Sequence, residues 1–348
     1  MPTFNILSID GGGLRGIVPI RILQKIEEKR KDKLLNFIDM VSGTSTGGLL
    51  ASCITLPGDK VDNGTLQPKF NLDDIAEIYI KYGSTIFPTR NGLLKWLYYL
   101  KGLFSPAYSP AGLEKVLNQY AGHNKRVLDA LRPIMVSTYD LKQNSPVFFK
   151  TAEAHDNHTA NALIYDICRA TSAAPTYFPA HHFVYKGKKL TGIDGGVYVN
   201  NPAMAAIAEV SKYGPQAKGF YRKRDGSLVQ YDDIRVLSLG TGSYEGHVTN
   251  KDAVSWGQLQ WVTHIIDIMM TGVNQTTTYE SGEMLDDFEI TGKRKYLRLD
   301  IKIHDKKYAQ MDDARPETRE YLERQIKSQV TENPDVLIKI DEFLNNIS

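Results

Sequence analysis

The sequence predicts an α/β fold, and three stretches carry the prediction. Phe4-Asn5-Ile6-Leu7-Ser8-Ile9 reads as a strand that runs into a glycine loop and then a helix. Phe37-Ile38-Asp39-Met40-Val41 repeats the pattern, leading through Ser42-Gly43-Thr44-Ser45-Thr46-Gly47-Gly48 into the buried helix that begins at Leu49. Further on, Leu190-Thr191-Gly192-Ile193 reads as a strand ending in Asp194 beside Gly195 and Gly196. Strands that alternate with helical patterns are the units from which an α/β sheet is built.

The totals narrow the class. The chain has 348 residues, 42% hydrophobic and 24% charged, an ordinary globular composition for one large domain or two small ones. Its 42 basic and 40 acidic residues leave a formal charge of +2, which argues against a nucleic-acid polymer as partner. Two cysteines, Cys53 and Cys168, sit among apolar neighbours, so small core residues in a reducing compartment are expected and no disulfide framework. The N-terminus carries no secretory pattern, and the longest apolar runs fall short of the ~18 residues of a spanning helix. A cytoplasmic chain with, at most, peripheral contact with a membrane surface is the expectation.

Taking the elements in order, Asp10-Gly11-Gly12-Gly13-Leu14-Arg15-Gly16 follows the first strand, and Pro19 suits the first turn of the helix through Ile20, Leu23 and Ile26. Gly11, Gly13 and Gly16 satisfy Gly-x-Gly-x-x-Gly, with Asp32 or Asp39 about 20 positions on. A dinucleotide site is nonetheless the weaker reading, because the next strand ends in a serine turn instead of an acidic residue placed for a ribose. The rival reading is an oxyanion hole, glycine N–H groups aimed at the charge that develops when a serine attacks a carbonyl.

Gly43-Thr44-Ser45-Thr46-Gly47 is the Gly-x-Ser-x-Gly of a nucleophile elbow. Such a pattern arises by composition in about one chain in eight of this length, taking Gly and Ser near ~7% each, so it needs partners. Residues 57–69 read as a surface loop and Leu72 to Tyr82 as a helix after Asn71. The Leu- and aromatic-rich run 92–104, with two lysines, fits either a lid or interfacial helix or a core helix with solvent-seeking lysines. Ser109-Pro110 opens another helix; 133–140 and 146–149 are β-like; Ile164 to Thr171 is helical and stops at the proline-bracketed loop 172–179.

Serine needs a partner to take its proton. Of eight histidines only His247, His264 and His304 follow Asp194, and none lies at a glycine-rich strand end, so a Ser–Asp pair is favoured over a Ser-His-Asp triad. Later, Ala203 to Val210 is a small-residue helix, and Ile234 to Leu239 is a strand before Gly240-Thr241-Gly242, which lacks the Lys-Ser/Thr of a P-loop. The basic stretch 220–226 reads as solvated. A long helix is expected over 256–273, another around Tyr321, Leu322 and Ile326, and a last one from Asn333-Pro334 to near Leu344.

Several of these segments, taken together and in this order, resemble one family. Asp10 to Gly16, Gly43 to Gly47, Ala170-Thr171-Ser172-Ala173-Ala174-Pro175-Thr176-Tyr177-Phe178-Pro179 and Asp194-Gly195-Gly196 carry the resemblance to the patatin-like phospholipases, lipid acyl hydrolases related to cytosolic phospholipase A2. Ser238 to Gly242, Tyr296 to Leu299 and Met311 to Ala314 resemble later segments of the family. The resemblance spans roughly 3–315 and implies a three-layer α/β/α patatin-like fold with a central, mostly parallel sheet flanked by helices. It divides the chain into a catalytic domain, 1–315, and a C-terminal helical extension packed on it, 316–348. It implies a Ser45–Asp194 dyad, an oxyanion hole from Gly11, Gly12 and Gly13 with the N–H of Thr46, and no metal or cofactor. Arg15 is either a cation for a substrate phosphate or a surface arginine. The implied activity is hydrolysis of acyl esters of membrane phospholipids, of phospholipase A or lysophospholipase type. Acyl transfer through the same serine is one alternative; an effector gated by a small nucleotide activator is another, since some bacterial members of this family are switched that way.

Overall fold

The computed structural model describes residues 2–62, 64–88, 105–121, 124–216, 221–245, 257–285 and 291–347. The elements run β1 (Phe4–Ile9), α1 (Ile17–Arg30), β2 (Met40–Gly43), α2 (Thr46–Thr55), β3 (Pro57–Asp62), β4 (Thr65–Pro68), α3 (Leu72–Ile86) and α4 (Ala111–Tyr120). They continue as β5 (Ile134–Asp140), β6 (Ser145–Lys150), α5 (Thr151–Asp156), α6 (Ile164–Thr171), β7 (His181–Tyr185), β8 (Lys188–Asp194) and α7 (Ala203–Tyr213). The last are β9 (Ile234–Leu239), β10 (Ser243–Tyr244), α8 (Gln258–Leu285), β11 (Tyr296–Leu299), β12 (Lys302–Ile303), α9 (Pro316–Ile326) and α10 (Pro334–Asn345).

The main sheet is ordered β11-β9-β1-β2-β5-β8-β7, with β6 on the other side of β5. Strands β11, β9, β1, β2 and β5 are parallel, and β6, β7 and β8 join antiparallel. Because successive strand side chains point to opposite faces, β1 feeds two cores. Leu7 and Ile9 pack with Leu237, Leu297 and the Ile17–Ile26 face of α1, while Phe4 and Ile6 pack with Val236 and with Ala206, Ile207 and Val210 of α7. Helices thus cover both faces, giving the three layers that the sequence predicts. Leu322, Ile326, Ile340 and Phe343 of α9 and α10 lie in the same cluster as Leu7 and α1.

Residues 57–69, expected as a loop, form the β3–β4 hairpin. Its strands are polar and exposed, with Val61 paired to Leu66, so too little apolar alternation exists to announce them. Helix α8 outlasts its expected end at Val273 because its inner face continues in small polar residues, Thr277 and Ser281, which are buried ahead of Leu285. The aromatic run 92–104 falls outside the described residues. Among those described, no helix is long and apolar enough to cross a membrane.

Two pairings of β5 bring distant parts of the chain together. On one side of this strand, β2 ends with Gly43 opposite Val136, and β8, coming from the opposite direction, ends with Asp194 opposite Thr138. The C-terminal ends of β2 and β8 therefore meet.

Candidate active site

Where β2 ends, the chain turns sharply. Ser45 has φ 54° and ψ −122°, a left-handed backbone that costs a non-glycine residue strain and points its side chain outward. The turn closes only with glycine at both flanks: a Cβ on Gly43 would lie 2.1 Å from the Gly47 carbonyl, and one on Gly47 2.1 Å from the Ile9 carbonyl. The Ser45 N–H donates to Thr171 Oγ1 at 2.8 Å. Thr44 is buried, its hydroxyl donating to the Val199 carbonyl at 2.6 Å beside Ser137 Oγ at 2.7 Å. Ser45 is also the N-cap residue of α2, so the positive end of that helix faces the serine oxygen.

Asp194 arrives from β8, buried, and its carboxyl accepts from the Gly196 N–H at 2.7 Å, with the Ser45 side chain close enough to favour its charged form. Burial pushes its pKa up to about 6, against the pull of those two neighbours toward the charged form. A carboxylate tuned there is a far better base near neutrality than one at the ordinary ~3.9. Of the later histidines, His304 is exposed beside Glu245 at 3.5 Å, while His247 and the side chain of His264 lie outside the described residues.

The glycine loop lies against the same turn. Gly11 N–H is spent on the Asn200 carbonyl at 3.1 Å, so the expectation that Gly11 supplies an oxyanion donor is corrected. Gly12 and Gly13 border the same cavity as Ser45, Thr46 and Asp194. Gly13 needs its missing side chain, since φ is +58° and a Cβ would sit 2.3 Å from the Met311 carbonyl, which already accepts Leu14 N–H at 2.8 Å. Thr241 pins the loop from behind: its hydroxyl donates to the Gly11 carbonyl at 2.7 Å, and a Cβ on Gly12 would meet it at 2.1 Å.

Thr241 is held in turn. Asp300 accepts from Gly242 N–H and Ser243 Oγ, both at 2.7 Å. Arg298 grips Asp10 with both terminal nitrogens, at 2.8 and 2.6 Å, and donates to Ser238 Oγ at 2.9 Å. The segments 238–242 and 296–299 stand out in the sequence, yet nothing there tells that they brace the glycine loop. Within the quoted segments, nothing marks Thr171 or Thr241 for its hydrogen bond, because a threonine at a helix end or in a turn is ordinary.

Above the pair opens a cavity of about 230 Å³, walled by apolar side chains such as Leu49, Leu56, Phe87, Leu117, Ile164 and Phe178. Both thiols border it, Cys168 buried and Cys53 partly so, and burial pushes their pKa values up to about 12 and about 11, which keeps them protonated and poor nucleophiles. Tyr79 reaches its hydroxyl to Thr46 Oγ1. Arg15 is not brought to Ser45: it borders a second, smaller cavity of about 40 Å³ with Arg315 and Arg319, and donates to the Ala309 carbonyl at 3.1 Å. Of the two readings of Arg15, a cation for a substrate phosphate or a surface arginine, this placement away from the serine favours the second. Among the described residues no group of three His, Cys, Asp or Glu side chains could hold a metal ion.

With this geometry in hand, the chain can be set beside known proteins. A family model described as patatin-like phospholipase matches residues 7–207. Patatin-like protein 2 of Oryza sativa subsp. indica is 31% identical over 97% of this chain and 83% of its own length. Patatin-like protein 3 of Arabidopsis thaliana is 32% identical over 85% and 73%, and Patatin-04/09 of Solanum tuberosum 31% over 91% and 81%. The chain belongs to the patatin-like phospholipase family, a family of lipid acyl hydrolases.

Proposed function

We propose that the protein is a phospholipase A or lysophospholipase that works through a Ser45–Asp194 dyad. The observation that supports it most is the strained Ser45 on the same apolar cavity as a buried Asp194 whose pKa is raised to about 6. Ser45 Oγ attacks the ester carbonyl as Asp194 takes its proton, and the alcohol leaves with that proton. Water then attacks the acyl-enzyme with Asp194 again as base, releasing the fatty acid and restoring the serine. Gly12 and Gly13 N–H, with the N–H of Thr46 at the start of α2, are the donors for the developing oxyanion. The apolar walls suit an acyl chain, and among the described residues that line the cavity Asp194 is the one carboxylate, with no Lys, Arg or Glu beside it.

Ser45→Ala is expected to abolish turnover of a short acyl ester, and Asp194→Asn to lower kcat by roughly 10²–10⁴, with neither variant melting below the wild type. A fluorophosphonate probe should label Ser45 in the wild-type protein. Label on another residue, or near-normal turnover by either variant, rejects the dyad. Product analysis on phosphatidylcholine and lysophosphatidylcholine then reads the positional preference.

A further inference from the structure

Helix α8 changes character along its outward side. Trp261, Ile265, Ile268 and Met269 are 44%, 41%, 47% and 47% exposed. At spacings of four, seven and eight residues they share one side of the helix. Two turns further on, the same side carries Gln275, Thr276, Tyr279, Glu280 and Glu283. A helix facing only water is polar on its outer side throughout; here four apolar side chains cluster at one end, while toward the other Tyr279 and Met284, both exposed, stand singly among polar ones.

That end is the cavity's edge. Met269 and Met270 border the cavity that holds Ser45, and Met269 is also part of the exposed side. Among the described side chains, the apolar lining of the cavity therefore continues through Met269 onto the outer surface. Clustered exposed apolar side chains of this kind mark an interaction site.

We propose that this side of α8, Trp261 through Met269, docks on the surface of a phospholipid bilayer and seats the cavity mouth at the level where acyl chains begin. The proposal rests on the lipid-hydrolase reading of Ser45. A bilayer is the occupant because the patch is continuous with a cavity suited to an acyl chain, so a lipid can pass from membrane to serine along apolar contacts alone. Trp261 is suited to the headgroup boundary, with Ile265 and Ile268 below it. Those four side chains carry no charge. Attachment is therefore by apolar burial, works on zwitterionic lipid and is little affected by salt.

The test is flotation with phosphatidylcholine vesicles at about 0.15 M and about 1 M salt, comparing the full chain with the Ile265→Ser/Ile268→Ser double variant and with Trp261→Ala. Vesicle affinity is expected to fall about tenfold or more in the double variant and less in Trp261→Ala, with hydrolysis of vesicle phospholipid falling in parallel. Turnover of a monomeric butyrate ester should stay within about twofold, and melting temperatures should not change. Unaltered vesicle affinity in both variants overturns the proposal. So does wild-type binding that vanishes at high salt, or a double variant that turns a dimer into a monomer and still binds vesicles, which makes the patch an interface between two copies. Ser45→Ala separates the two claims: ester turnover surviving in it rejects the serine reading, while vesicle binding is read independently of turnover.

Discussion

At Asp194 the environment sets both the chemistry and its pH range. Burial lifts the carboxyl to about 6, so in its proposed role as base it can act only where it has lost its proton. The kcat/KM for a soluble ester is expected to climb as pH rises through about 6 and then level off, with the acid limb reporting the free enzyme. A limb near pH 4 would show a solvated carboxylate and remove burial as the tuning cause. The stability linkage has the opposite direction. A carboxyl whose folded pKa is raised binds its proton more tightly when folded, so Asp194 withdraws stability as pH rises from about 4 to about 6 and no further above that. Activity and stability thus move in opposite directions over the same interval.

Among the elements, the glycine loop depends most on neighbours distant in sequence. Thr241→Val keeps the shape but leaves the buried Gly11 carbonyl only the long contact from Asn200 Nδ2 at 3.5 Å, at a cost of about 0.5–1.5 kcal/mol. The expected outcome is a lower kcat with KM little changed, restored in large part by Thr241→Ser; equal kcat in Thr241→Val would show that the loop holds its own shape. Ser45, Asp194, Gly12 and Gly13 are legible in the sequence because each obeys a strict local rule: a backbone that only glycine allows, or a serine that needs a base. Thr171, Thr241, Asp300 and Arg298 act through hydrogen bonds to partners dozens to hundreds of positions away, and no local rule marks them. Arg15 is a related case. Its place in the glycine motif fixes its backbone, but the side chain points to Ala309.

For the molecule as a whole, the C-terminal helices are the test of where the fold ends. Leu322, Ile326, Val330, Ile340 and Phe343 are buried in the cluster that also holds Leu7, Ile9 and α1. Arg21 and Glu323 join α1 to α9 at 2.8 Å. At about 1.5–3 kcal/mol for each buried apolar side chain, losing five of them rivals the roughly 5–15 kcal/mol that holds a typical domain together. Truncation after residue 315 is expected to give an aggregating or unfolded chain by circular dichroism and melting. A soluble 1–315 fragment with a near-native melting temperature would make 316–348 a dispensable extension.

Strand β5 contributes no atom to the proposed chemistry, yet it is the gauge on which the site is dimensioned. Gly43 and Asp194 are fixed at positions 136 and 138 of one edge, with Ser137 between them touching Thr44 on one side and standing where a Cβ on Gly195 would be, 2.2 Å away, on the other. A strand advances about 3.3 Å per residue and reverses its face at every step. The separation of the proposed nucleophile and base is therefore quantised: it cannot be tuned by small drift along β5, only by whole residues, and each such step would also turn one partner to the wrong face of the sheet.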